Sequence, residues 1–329
     1  MKLSPTLRGL VLAGVSLHIP AAGFAVQCKI GQMETPVTMR GLHPTISAKI
    51  NGKDAIFELF SGVWWSSITP ATAEQYQLHL DKGKTQEVIS SMSGRRTMQI
   101  ATADTFDVFN TSFRKIEFLV GNNFSSSDAA GMLGGNFLTK MDVEYDLAQG
   151  SVKLLKTSLG CRLNSLAYWG KAGERYSLMD IERTDKDNPH TIGTAYLNGN
   201  QTRAWFNTGS TGTMVGLAAA ERAGVKPGDP GVEKVNFGTQ ENPSWGWIGT
   251  FASLKIGDEE IHNARLRIGN LGWVEMMIGA DFFLSHHVLV SNSQSKLYFT
   301  YNGGPVFNYE KALALSKTEE TASALPERP

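Results

Sequence analysis

The chain repeats itself, and that repetition limits its possible folds more than any other feature of the sequence. The stretch HPTISAKINGKDAIFELFSGVWWSSITPATAEQYQL from His43 aligns without a gap against HTIGTAYLNGNQTRAWFNTGSTGTMVGLAAAERAGV from His190. Asn51-Gly52 meets Asn198-Gly199, Gly62 meets Gly209, and Ala73-Glu74 meets Ala220-Glu221. Further on, MLGGNFLTKMDVEYDLAQGSVKL from Met132 meets MIGADFFLSHHVLVSNSQSKLYF from Met277. An offset held at roughly 145 residues across separate motifs is the signature of a duplicated unit.

Each unit has one grammar. An alternating strand reverses at Asn-Gly, the strongest short hairpin signal. The next strand runs into a glycine turn, and a short helix follows, opened by Pro70 in one copy and carrying Ala218–Arg222 in the other. A polar hairpin comes next, SSMSGRRTMQI or VNFGTQENPSWGWI. Two β-runs then lead to an apolar-apolar-Gly element, and a last hairpin closes the unit. The pattern predicts an all-β protein of two tandem lobes with a few short helices. The expected segments are an N-terminal lobe over 26–155, a connection over 156–189, a second lobe over 190–308 and a polar tail over 309–329.

Before the first lobe, Lys2 and Arg8 precede the apolar run GLVLAGVSLHIPAAGFA. Basic residues, a short apolar core and small residues at its end are the layout of a cleavable leader over 1–25, cut after Ala25. His18 and Pro20 interrupt a segment already short for a membrane anchor. The expectation is a secreted or periplasmic protein without a stable membrane span after cleavage. The chain has only two cysteines, Cys28 and Cys161. In an oxidising compartment they are a candidate disulfide, the alternative being two buried thiols. Lys plus Arg equals Asp plus Glu at 31 each, so no overall field argues for nucleic acid or an anionic membrane.

The paired motifs FELFSG and WFNTGS, with MLGGNF and MIGADF behind them and the closing SKLYFTYNGG, resemble the retropepsin-like aspartic proteases. The likeness covers roughly residues 28–305 and is nearest to secreted bacterial proteins carrying two such lobes in one chain. The resemblance implies a bilobal acid-protease fold in which each lobe supplies one aspartate to a shared site. Two carboxylates that close cannot both ionise, so they share a proton. One then takes a proton from water while the other donates to the peptide carbonyl.

Carried over by position, the catalytic pair falls on Phe60 and Asn207, the bracing hydroxyls on Ser61 and Thr208, and the turn glycines on Gly62 and Gly209. The brace is kept and both acids are gone. Phe60 has no titratable group, and the Asn207 carboxamide cannot accept a proton from water near neutral pH. Asp54, Glu58 and Asp281 are the nearby acids. Asp54 belongs to the hairpin turn, Glu58 alternates to the strand face opposite Leu59, and Asp281 is expected to cap a helix.

Other chemistry finds little support. The seven histidines show no metal-ligand spacing, and His286-His287 reads as a strand-edge pair. No cofactor or metal is expected. NTGSTGTMVG lacks the lysine of a phosphate-binding loop and is accounted for by the protease turn. Trp64 and Trp65 follow the first turn, and Trp245 and Trp247 fall in the hairpin that would arch over the second. They are either core residues or the lining of a cleft; with the hairpin glycines Gly94 and Gly238 they form the candidate ligand-binding set. The reading is a protease-like protein without a working dyad that binds a peptide or protein between its lobes. Because the lobes pair within one chain, a monomer suffices. An active aspartic endopeptidase and a structural or inhibitory partner of an active homologue are the rival readings.

Overall fold

The computed structural model describes residues 27–90, 94–121, 128–170, 175–237, 244–304 and 306–307. The expected leader and the tail from 309 lie outside the described residues. Three sheets account for the fold. An eight-stranded sheet, with strands running from Thr38–Arg40 to Gly131–Leu133 in sequence, closes on itself through Lys49↔Asp107 and Ile50↔Phe106. A seven-stranded sheet between Thr191–Leu197 and Met276–Ile278 closes the same way, through Ala195↔Ile256 and its neighbours.

The local chemistry of the two lobes is duplicated as the sequence repeats. Asn51 and Gly52 both take positive φ (49° and 79°), as do Asn198 and Gly199 (47° and 76°). That left-handed pair makes the tight hairpin that asparagine and glycine favour. The asparagine side chains also hold the barrels shut: Thr105 N–H donates to Asn51 Oδ1, and Ser253 N–H donates to Asn198 Oδ1, both at 3.0 Å. The helix Pro70–Gln75 begins where Thr69 Oγ1 accepts from Thr72 N–H at 2.9 Å, with proline at its first position. Leu217–Arg222 is its counterpart.

Aromatic residues fill both interiors. Phe57, Phe106, Phe118 and Phe137 meet largely edge to face in the first lobe, and Phe206, Phe282 and Phe299 do so in the second. Buried apolar residues of both lobes form one continuous cluster.

The third sheet belongs to both lobes. Its order is Ile30–Pro36, Ser151–Thr157, Asp142–Asp146, His286–Ser291, Lys296–Tyr301 and Ser177–Asp180. The lobes meet where Val143, Glu144 and Tyr145 pair with Val290, Leu289 and Val288. His286 and His287 therefore sit on a central strand, not at an edge. The expectation failed because alternation along one strand carries no information about a partner from the other lobe. The connection between lobes does more than link them, since its Ser177–Asp180 stretch forms the outermost strand. Its earlier part lies on the shared sheet, where Leu166, Ala167 and Cys161 pack with Leu155, Leu289 and Tyr298. Cys28 and Cys161 form the disulfide that the cysteine count suggested. Among the described residues no helix is long and apolar enough to cross a membrane.

Candidate functional site

Each repeat ends a strand, Lys53–Leu59 or Asn200–Phe206, and turns sharply at the lobe junction. The turns start alike. Phe60 N–H donates to Leu133 O at 2.9 Å, and Asn207 N–H donates to Ile278 O at 2.8 Å. The apolar-apolar-Gly elements thus anchor the two turns from behind.

The hydroxyl residues then cross between lobes. Thr208 Oγ1 donates to Leu59 O at 2.6 Å and accepts from Ser61 N–H at 3.1 Å. Ser61 Oγ reciprocates, donating to Phe206 O and accepting from Thr208 N–H, each at 3.1 Å. Both side chains are buried. Four reciprocal bonds with no water to compete fix the distance between the turns.

Phe60 and Asn207 face the opposite turns in this frame. The Asn207 carboxamide oxygen accepts from the N–H of Gly209 at 2.9 Å and of Gly62 at 3.1 Å, one donor from each lobe. Two donors at one atom define which end of the amide is oxygen. The nitrogen lies 3.3 Å from Met277 Sδ. Phe60 and Asn207 each cover the glycine of the opposite lobe. A Cβ on Gly209 would lie 2.2 Å from Phe60 Cγ, and one on Gly62 would lie 2.1 Å from Asn207 Cγ. Glycine at these positions is required by close approach rather than by φ.

A second layer supports the turns symmetrically. Ser66 N–H and Oγ both donate to Asn136 Oδ1, at 2.7 and 2.8 Å. In the other lobe, Thr213 N–H and Oγ1 donate to Asp281 at 2.8 Å each. Asp281 is thus a turn brace. The cap position of its helix is Gly279, and Phe282 N–H completes the hydrogen bonds to the carboxylate. Desolvation raises the Asp281 pKa, against the Thr213 bonds and the Arg267 charge, which lower it. Asp54 is exposed and pairs with Lys49 at 3.4 Å on the hairpin. Glu58 is buried on the strand itself.

The aromatic candidates divide. Trp64 Nε1 donates to Lys186 O in the connection at 3.0 Å, and Trp65 Nε1 donates to Glu117 O at 3.4 Å. Both rings are half-buried beside the first turn. Trp247 packs against the main core. Trp245 is 58% exposed, with Lys234 Nζ 4.9 Å from its ring centre. Gly94 pairs with Ser90 near the end of the first-lobe hairpin. Gly238 lies outside the described residues.

Sequence reasoning missed several residues near these elements. Met277, which meets the Asn207 amide, reads in the sequence as part of an apolar anchor. Two polar groups, one buried and one half-buried, also escaped notice. Glu144, 1% exposed, accepts from Lys153 Nζ at 2.7 Å and contacts His287 Nε2 at 3.1 Å and the Tyr168 hydroxyl. Burial opposes its charge, but these donors hold its pKa below the usual carboxylate value. His190 lies against Trp205 with ring centres 4.5 Å apart and the planes inclined at 35°. Burial first, and the Arg203 charge second, push its pKa down to about 4.

Comparison with known families assigns each lobe separately. A family model described as "Aspartyl protease" matches residues 46–137. A second, described as "gag-polyprotein putative aspartyl protease", matches residues 193–285. No curated protein matches the chain. The two matches fall one on each repeat and each spans a braced turn. With two tandem lobes joined through that brace, the chain belongs to the retropepsin-like aspartic protease superfamily.

Proposed function

We propose that this protein uses the acid-protease fold to hold an extended polypeptide between its lobes and does not hydrolyse it. The observation that carries this reading is the pair Phe60 and Asn207 at the braced turns. An aromatic ring offers no proton acceptor. The one carboxamide oxygen already accepts two backbone N–H bonds. Of the amide hydrogens, one is directed to Met277, leaving the other to donate to a ligand carbonyl. Such a floor can orient a peptide but cannot generate hydroxide from water.

The rest of the architecture suits binding. The short strand Glu233–Asn236, paired with the start of Trp245–Ile256 at the edge of its sheet, offers backbone for strand addition. Trp64 and Trp245 offer large rings with few torsions to immobilise. The leader pattern and the Cys28–Cys161 bond support an exported, oxidising setting.

The test is a pair of assays on purified protein. Peptide substrates are expected to survive incubation from about pH 3 to 7, the range over which an acid dyad works. Cleavage blocked by a pepstatin-type inhibitor would overturn the reading in favour of an active endopeptidase. Peptide-array binding is expected, and it should weaken in Trp64→Ala and Trp245→Ala. Equal binding by both variants would remove the aromatic contribution.

A further inference from the structure

The corner of the molecule where the described chain begins displays apolar side chains that no other described residue covers. Leu159 is 75% exposed and Leu163 is 99% exposed. They flank Cys161 in a short turn, where Arg162 N–H donates to Leu159 O and Asn164 N–H donates to Cys161 O. A floppy loop could fold its leucines away, but this turn is fixed from three sides. The disulfide ties it to Cys28. Gln294 Nε2 donates to Cys161 O at 2.7 Å and to Asn164 O at 2.9 Å. Lys29 N–H donates to Ser158 Oγ, and Ser158 N–H donates to Lys29 O, both at 2.9 Å. Rigid presentation of two solvated leucines has a cost in water and yields a return only when another phase receives them.

Charge around the turn indicates which phase. Lys29, Arg162 and, at the end of the adjoining strand, Lys156 are exposed. Among the described residues none of the three is held in an ion pair. The nearby acid Asp142 is buried and engaged with Ser293 and Thr157. No basic run exists in the sequence because Lys29 lies far along the chain from Lys156 and Arg162. Folding alone assembles them.

We propose that this corner, with Leu159 and Leu163 at its tip and Lys29, Arg162 and Lys156 around it, docks on an anionic lipid surface. The leucines enter the interfacial layer and the cations stay at the headgroups.

Flotation of the protein without its expected leader, from residue 26 onward, with vesicles containing phosphatidylglycerol, and with vesicles of phosphatidylcholine alone, tests the proposal. Binding is expected to the first and not the second, and to weaken as salt screens the surface. Leu159→Ser/Leu163→Ser should lower the partition by at least about tenfold, since burying one leucine is worth about that factor. Lys29→Glu/Arg162→Glu should lower it by roughly twentyfold or more, at about fivefold per cation removed. The second variant keeps the test decisive if the first folds poorly. Thermal melting of each verifies that it folds.

Equal binding to both vesicle types overturns the proposal, as does binding unchanged in the variants. Absence of vesicle binding, together with a dimer in sedimentation velocity that the leucine variant abolishes, also overturns it and assigns the surface to a second copy.

Discussion

Phe60 of the first lobe lies on Gly209 of the second, close enough that a methyl group on the glycine would overlap the ring. Asn207 has the same relation to Gly62, so the site is a reciprocal overlap of each side chain with the opposing turn. The lobes are consequently keyed to each other by Phe60 and Asn207.

Gly209→Ala is therefore expected to destabilise the protein by about 1–3 kcal/mol through overpacking. The same change in a Phe60→Ala background should cost markedly less, since the space then exists. Urea denaturation of the four proteins in the cycle measures the coupling, which should be of the order of 1 kcal/mol or more. Additive effects would mean that the Phe60 ring does not rest on Gly209.

Thr208→Val removes a hydroxyl while keeping the shape. Leu59 O and Ser61 N–H would be left buried without a partner, at a combined cost of roughly 2–4 kcal/mol. Thr208→Ser keeps both bonds and should remain within about 1 kcal/mol of the parent. Chemical denaturation distinguishes the two; similar losses in both would show that the methyl group, rather than the brace, matters.

Acid titration of stability should reveal His190. Its folded pKa of about 4 lies below the ordinary value of 6.5. As pH falls below 6.5 the unfolded chain takes up a proton that the folded chain refuses, so stability declines until pH approaches 4 and then levels off for this group. The total is of the order of 3 kcal/mol. His190→Phe, which keeps a ring on Trp205, should flatten that part of the profile. Glu144 acts in a lower window: its contribution is present above the unfolded carboxylate value and is lost as pH falls through its depressed folded pKa. Glu144→Gln should therefore leave the slope above pH 4.5 unchanged.

Asn207→Asp should fold, because its carboxylate would accept the Gly62 and Gly209 N–H groups that the amide oxygen accepts now. One acid facing a phenyl ring has no second group with which to share a proton, so fluorogenic peptides should stay intact. Adding Phe60→Asp supplies the partner, and pepstatin-sensitive cleavage with an acidic, bell-shaped pH profile is expected. Hydrolysis by the single variant would show that another acid reaches the site.

Local features of the sequence were read correctly where one segment determines its own conformation. Asn51-Gly52 and Asn198-Gly199 form their hairpins, Pro70 opens its helix, and the repeated turns pair across the junction. What the sequence concealed depends on partners remote along the chain. The pairing of Asp142–Asp146 with His286–Ser291 leaves no mark in either segment's alternation, so His287 was not read as a central residue. Asp281 looked like a cap because acids commonly precede helices; its link to Thr213 spans most of the second lobe. Trp247 could have faced ligand or core, and strand direction in the folded lobe decides that. The solvated leucines beside Cys161 carry no sequence signal, since any leucine reads as interior until its neighbours are known.

Because one sheet is built from strands of both halves, neither half is self-sufficient. Severed between the repeats and produced as two pieces, the chain would present bare ribbon edges at Asp142–Asp146 and His286–Ser291. Those edges would drive the fragments to reassemble with each other, or to pair with copies of themselves, as two separate subunits of a dimer would.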